Sequence, residues 1–235
     1  MRARMVCGAF LVLASNLAAQ APAEAPATAP AAAPKPPKGP SRAEFRIGGF
    51  MVSGERNYNF ASSAITTATG SVRGVEVLLR GSGAGIYVRS LSGTFGNQPK
   101  VISADARVLL FPPVFTIFAG VGKRALSSAL ATKVYDVAMA GVSSTVNIGG
   151  TGLRTHVSGA VLVSPQKGTT GAAAVKDPSK GIDAEAAIFY RFPSVPLFLT
   201  LGYRTEVFNA RTGSVVAPEE VRGLRVGGGI QFGGR

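Results

Sequence analysis

Few side chains in these 235 residues could do covalent or metal chemistry. There is one histidine, His156, and one cysteine, Cys7. A single cysteine forms no internal disulfide, and one of each is too few ligands for a usual zinc site. A lipase or acyltransferase would need a serine beside His156, within reach of lipid or of an outer rim. Asp183, Glu185 and Glu206 offer a second chemistry, because two close carboxylates can share a proton or hold a cation. The run Gly227-Gly228-Gly229 lies within a strand pattern with no helix after it, so it is not a phosphate loop. A third arrangement involves more residues. Arginines alternate with acids at strand-like spacing, as in Asp183, Glu185 and Arg191, or Arg204 and Glu206. Such residues meet as a charge network if one sheet face carries them all.

The elements that would carry them have period two. In residues 182–192, Ile182, Ala184, Ala186, Ile188, Tyr190 and Phe192 form one row, and Asp183, Glu185, Ala187, Phe189 and Arg191 the other. Residues 197–208 and 223–232 alternate in the same way. Across the chain the pattern predicts ten strands, near 44–54, 72–81, 84–94, 100–111, 114–124, 135–148, 153–164, 181–192, 197–208 and 221–232. The sixth is the weakest: its apolar row switches near Gly141, which suggests a bulge. Merging it with its neighbours would give eight strands. No apolar run beyond the N-terminus is long enough for a transmembrane helix.

The connections alternate as well. Ser82-Gly83, Pro112-Pro113, 149–152 and 193–196 are short. The intervening ones are mostly longer and more polar, with 55–71 and 165–180 the longest. Turns of this length set a register in which Arg191 faces Phe198, Glu185 faces Arg204, Glu76 faces Arg89, Leu109 faces Thr116 and Asp105 faces Gly120. Polar-row residues then meet polar-row residues. Asp183 and Glu206 face each other near the long-loop end, balanced by Arg204 and Arg225 or open to a cation.

Residues 1–43 read differently. Arg2 and Arg4, an apolar run from Met5 to Val12 and the small residues Ala19-Gln20-Ala21 describe a secretory signal peptide over 1–21. It would carry Cys7 away. Residues 22–43 are a Pro/Ala-rich linker that favours extended states, and 44–235 form the folded domain. Hydrophobic residues make up 46% and charged ones 16%, too apolar a mixture for a wholly disordered chain.

Alternation alone does not say which row points inward. A soluble, ligand-binding barrel would turn its apolar row to the middle. The opposite arrangement is expected here for three reasons. The apolar rows carry almost no charge, and a lipid-facing charge at the midplane costs about 2–4 kcal/mol. The charged row is rich in glycine (Gly48, Gly74, Gly120, Gly122, Gly202, Gly223, Gly227 and Gly229), leaving room for long side chains in a narrow lumen. Aromatic residues, Phe115, Tyr190, Phe192 and Tyr203, gather at strand ends on the apolar row, as interface girdles do.

On Gly85-Ile-Tyr-Val-Arg-Ser-Leu-Ser-Gly93, Ala187-Ile-Phe-Tyr-Arg-Phe192 and Val226-Gly-Gly-Gly-Ile-Gln-Phe232, the chain resembles the small outer-membrane β-barrel proteins of Gram-negative bacteria, of the outer-membrane protein A/X type. The resemblance implies an all-β fold: a closed antiparallel up-and-down transmembrane β-barrel, monomeric, in the outer membrane, with both termini periplasmic. It also implies contact with the barrel-insertion machinery, which in that family reads a final aromatic residue. Here Phe232 is followed by Gly233-Gly234-Arg235.

The inward row then holds Arg46, Arg80, Arg89, Arg107, Arg124, Arg154, Arg191, Arg204 and Arg225. The expected lumen charge network is Glu76, Arg89, Asp105, Arg107, Asp183, Glu185, Arg204, Glu206 and Arg225. Opposite charges in so narrow a space should pair and fill it. A structural or surface-contact role follows, with a narrow anion-leaning channel as the alternative and a barrel enzyme behind it. No catalytic residue, metal or cofactor is assigned. His156 falls near a short turn on the polar row, away from lipid and from the outer rim, and reads as a lumen-lining side chain. The net charge of +13 would suggest nucleic acid for a cytoplasmic protein. For a secreted one, anionic lipopolysaccharide is the expected neighbour. Lys123, Lys133, Lys167, Lys176 and Lys180 are the expected contacts, and Arg56, Lys100 and Arg211 are further loop charges.

Overall fold

In the computed structural model the chain divides into Met1–Gly39 and Pro40–Arg235. The structure describes residues 43–58, 65–96, 100–110, 115–127, 132–164, 179–212 and 215–234. The signal and linker readings over 1–42 lie outside them. The domain that follows is a closed antiparallel barrel of ten strands in simple up-and-down order. The strands are β1 (Glu44–Tyr58), β2 (Thr66–Arg80), β3 (Ala84–Phe95), β4 (Val101–Leu110), β5 (Thr116–Ser127), β6 (Thr132–Ile148), β7 (Leu153–Ser164), β8 (Ser179–Arg191), β9 (Leu197–Thr212) and β10 (Val215–Gly233). Each pairs with its neighbours in sequence, and β10 closes on β1, with Glu44 opposite Gly233. The ten-strand reading holds, and the eight-strand one does not.

The short turns are tight for local reasons. In β2–β3 the amide of Gly81 donates to the carbonyl of Ala84 at 2.8 Å. The β6–β7 turn has left-handed backbone at Gly149 (φ 60°) and Gly152 (φ 80°), a region where a side chain would be strained. There the Thr151 hydroxyl donates to the Ile148 carbonyl at 2.7 Å, closing the turn.

The predicted faces are present. Val121 is 65% exposed, Val75 60% and Leu199 54%, all on the outer surface, whereas Asp105 and Arg225 are each 2% exposed within. This excludes the soluble barrel, which needs the reverse. An exterior this apolar around a charged interior has the polarity of a wall standing in hydrocarbon, where every backbone group must be paired within the sheet. Phe115, Tyr190 and Phe232 stand outward at the short-turn end, and Tyr190 meets Phe192 edge-on at 5.0 Å.

Several expectations need correction. β6 carries no bulge: its register with β5 and with β7 runs unbroken past Gly141. The apparent switch arises because its inward row holds Val137 and Met139, both buried, so apolar residues occupy both faces. At the fourth turn the register slips by two residues, pairing Leu109 with Phe118 and Asp105 with Gly122. Slipping by an even number preserves the faces, which is why the polarity argument survived the error. The long connections are also shorter than expected. β1 and β2 continue pairing to Tyr58 and Thr66, and β9 and β10 to Thr212 and Val215. The polar ends of these strands are sheet that extends past the apolar zone.

The glycines do more than leave room for arginine. A Cβ on Gly120 would lie 2.3 Å from the Ala106 carbonyl oxygen, and one on Gly229 would lie 2.1 Å from that of Ile47. The bare backbone lets the sheet coil this tightly.

Candidate functional site

The candidate site is the lumen, because every inward charge meets there. All nine predicted arginines lie on the inward row. Five of them, Arg89, Arg107, Arg124, Arg204 and Arg225, are buried and engage five carboxylates across the middle of the barrel. Asp105 on β4 accepts from Arg89, from Arg107 at 3.1 Å and from Arg124 at 2.6 Å. Asp183 on β8 accepts from Arg89 at 2.8 Å, Arg107 at 2.9 Å and Arg204 at 3.0 Å. Glu206 accepts from Arg124 and Arg204, each at 2.6 Å. Arg225 on β10 donates to Glu76 at 2.7 Å and to Glu185 opposite, and the Tyr87 hydroxyl donates to Glu76 at 2.7 Å. With as many acids as bases, this layer is neutral.

The predicted network is therefore brought together whole, with Arg124 added. Arg89 and Asp105, paired in register across β3 and β4, do bond, but the two pairs expected from the turns do not. Glu76 faces Arg89 and Glu185 faces Arg204 in register, yet neither pair bonds. The long guanidinium arms instead reach across the lumen, as from Arg89 to Asp183. The bonds from Arg89 and Arg107 to Asp183, from Arg124 to Glu206, and from Arg225 to Glu76 and Glu185 tie strands that share no backbone hydrogen bond. Asp183 and Glu206 sit opposite each other as expected, but Arg204 spans them, so the cation reading fails.

Aromatic rings floor the network. The guanidinium of Arg225 lies 4.4 Å from the Phe50 ring centroid, and that of Arg107 lies 4.9 Å from Phe118. Towards the long-loop end the lumen turns apolar. Phe50, Val52, Val72, Leu91, Phe95 and Val101 form one inner cluster, and Val137, Met139, Leu162 and Phe208 another. Sequence reading missed both, since apolar side chains on the inward row look like noise in the alternation. It also placed Arg56 among the loop charges. Arg56 is instead fully buried on β1 and donates to Glu219 at 2.8 Å. The extension of β1 beyond residue 54 is what turns it inward.

The remaining four inward arginines, Arg46, Arg80, Arg154 and Arg191, collect at the short-turn end with one acid, Glu44. They line a cavity of about 110 Å³. His156 belongs to it: its Nδ1 is 3.0 Å from Thr145 Oγ1, and its ring stands edge-on to Phe189 at 5.8 Å.

On the outer surface, Lys123 and Lys180 point outward near the long-loop end, and Lys123 is 3.7 Å from Asp136. Lys167 and Lys176 lie outside the described residues, as does the Lys133 side chain. Two outward cations were missed, Arg73 and Arg222; Arg222 bonds Glu55 at 2.9 Å. The signal was present, since each breaks the apolar row of its strand.

No protein-family model matches the sequence. No curated protein matches it either. Among solved structures, the chain is similar to Neisserial surface protein A, with 10% identity over 81% of this chain and 99% of that one, at a TM-score of 0.41. It is also similar to the translocator domain of the autotransporter NalP from Neisseria meningitidis, with 12% identity over 83% and 90%, at 0.43. A third similarity is to Salmonella typhi OmpF in complex with daunomycin, with 17% identity over 80% and 57%, at 0.32. At such overlap these likenesses add nothing to what strand order and polarity already establish.

Proposed function

We propose that this chain is a monomeric outer-membrane barrel whose role is structural, supporting the envelope or presenting its long loops for surface contact, without catalysis or cofactor. The observation that carries the reading is the filled lumen. A neutral lattice of five arginines and five carboxylates crosses the barrel, and two apolar clusters lie beyond it. A solute would have to break charge-assisted bonds in a low-dielectric interior and then pass between packed aliphatic side chains. In this reading the short turns, the start of β1 and the end of β10 face the periplasm, and insertion proceeds through the barrel-assembly machinery.

Planar-bilayer recording tests the reading. The folded chain should give no steady unitary steps at high voltage. The surplus of arginines at the short-turn mouth favours the runner-up, a narrow anion-leaning channel, and stable anion-selective steps would replace the structural role with that one.

The outward cations support a second part of the proposal, contact with lipopolysaccharide through Lys123 and Lys180, joined by Arg73 and Arg222. Surface charge pairs of this kind are screened by salt. Binding to lipid A should weaken as sodium chloride rises from about 0.05 to 0.5 M, across which the Debye length falls severalfold. Salt-independent affinity would remove this contact.

A further inference from the structure

The cavity at the short-turn end has a composition that a filled structural lumen does not require. The central lattice is neutral by itself, so the arginines here are surplus: Arg46, Arg80, Arg154 and Arg191 stand against Glu44 alone. Glu76 and Glu185 also reach the cavity wall, but both are already paired with Arg225. The surplus is shaped. Arg46 lies over two rings, 5.0 Å from the centroid of Phe189 and 5.6 Å from that of Phe198, and its buried Nε has no hydrogen-bond partner. Arg154 and Arg191 are held in place at the mouth by backbone carbonyls. Arg154 donates to Gly234 at 2.8 Å and Arg191 to Gly233 at 2.7 Å. The rest of the wall mixes apolar side chains, Leu78, Leu109 and Phe118, with hydroxyl groups and with the inner edge of the charge lattice at Glu76, Glu185 and Arg225.

A pocket of this kind sets convergent cationic groups beside a few apolar side chains, as sites for small amphipathic anions do. We propose that it binds a small organic carboxylate with a compact apolar body. The carboxylate meets the Arg46 guanidinium and the positive surplus, and the body lies against the lining edges of Phe189 and Phe198. Size sets the class. A dry cavity of roughly 150 Å³ holds one benzene ring, so about 110 Å³ open at a mouth takes a short chain, or a single ring that stands partly in the mouth. It excludes a long acyl chain, because the charge lattice closes the inner end. An inorganic anion would satisfy the charge and leave the aromatic wall bare.

The only histidine in the chain, His156, lines this pocket and reports on it. Its ring proton signals can be followed by NMR at fixed pH in the folded full-length chain in nanodiscs, titrated separately with benzoate, benzyl alcohol and inorganic phosphate. Benzoate should move the signals saturably, with half-saturation at least about tenfold lower than for either other probe, the discrimination expected of one charge-assisted hydrogen bond. Arg46→Gln should raise the benzoate half-saturation by a similar factor and so remove most of its advantage over benzyl alcohol. The idea is overturned if benzoate ranks with benzyl alcohol, which makes the wall merely greasy, or with phosphate, which makes the mouth merely positive. It is equally overturned if the folded Arg46→Gln chain binds benzoate as the unmodified chain does. The ranking of the three probes needs no variant, so it decides the matter even if Arg46→Gln does not fold. Because the inner end is closed, silence or conduction in a bilayer leaves this result untouched.

Discussion

Asp183→Asn should destabilise the barrel by about 3–5 kcal/mol, the cost of removing one partner from a buried ion pair and leaving the others charged. Asp183 accepts hydrogen bonds from Arg89, Arg107 and Arg204, which come from β3, β4 and β9. No other acid can turn to replace it, because Asp105 and Glu206 are already held by Arg124 and their own neighbours. Asparagine keeps the shape and removes the charge, so the loss is electrostatic. Reversible urea unfolding in lipid vesicles measures it, with Glu55→Gln as the comparison. Glu55 pairs with Arg222 where both are exposed, and such pairs contribute about 0–1 kcal/mol. If the two variants lose the same stability, the lumen is wet and the lattice is not what ties the strands together.

The second large effect is on the opposite face of the sheet, on the neighbouring strand. Leu201 points outward on β9, paired with Val226 and Ile188 in the middle of the apolar zone. Leu201→Arg should cost about 2–4 kcal/mol in a bilayer, the penalty for a charge facing lipid near the midplane. Arginine at Val207, four positions beyond Tyr203 and past the point where Thr205 and Arg222 begin the polar zone, should cost far less, because the penalty falls towards the interface. Unfolding free energies of Leu201→Arg and Val207→Arg in the same vesicles check the gradient. A soluble barrel would show no dependence on depth.

Much of this was legible in the sequence because a sheet face is a strict code. Residues i and i+2 share a side, so Asp183, Glu185 and Arg191 had to point together wherever β8 lay. The register of the eighth turn followed from its length alone, and Glu185 does face Arg204. The choice of ion partner was not legible. An arginine side chain spans the lumen, so its partner is set by barrel closure, which brings β8 opposite β3 and β4. No local pattern encodes that distance. The lumen's apolar clusters were hidden for a related reason. Val137 and Met139 on β6, or Phe50 and Val52 on β1, put apolar residues on the inward row and blur the alternation where it would have marked the fold. The strand extensions were missed because Asn57, Thr67 and Thr69 are polar on the outer row, as a sheet standing in water above a membrane requires and as a loop also would be. Loop and emergent strand have the same composition there, and only pairing across β1 and β2 separates them.

The direction of the apolar rows is the central claim, and nitroxide scanning of β9 in bilayers tests it most directly. With Cys7 replaced by serine, single cysteines from Leu197 to Tyr203 are spin-labelled in turn, and collision with molecular oxygen, which concentrates in hydrocarbon, is recorded. The account predicts maxima at 197, 199, 201 and 203, with minima at 198, 200 and 202. Maxima at 198, 200 and 202, or an oxygen profile without a two-residue period, would contradict it.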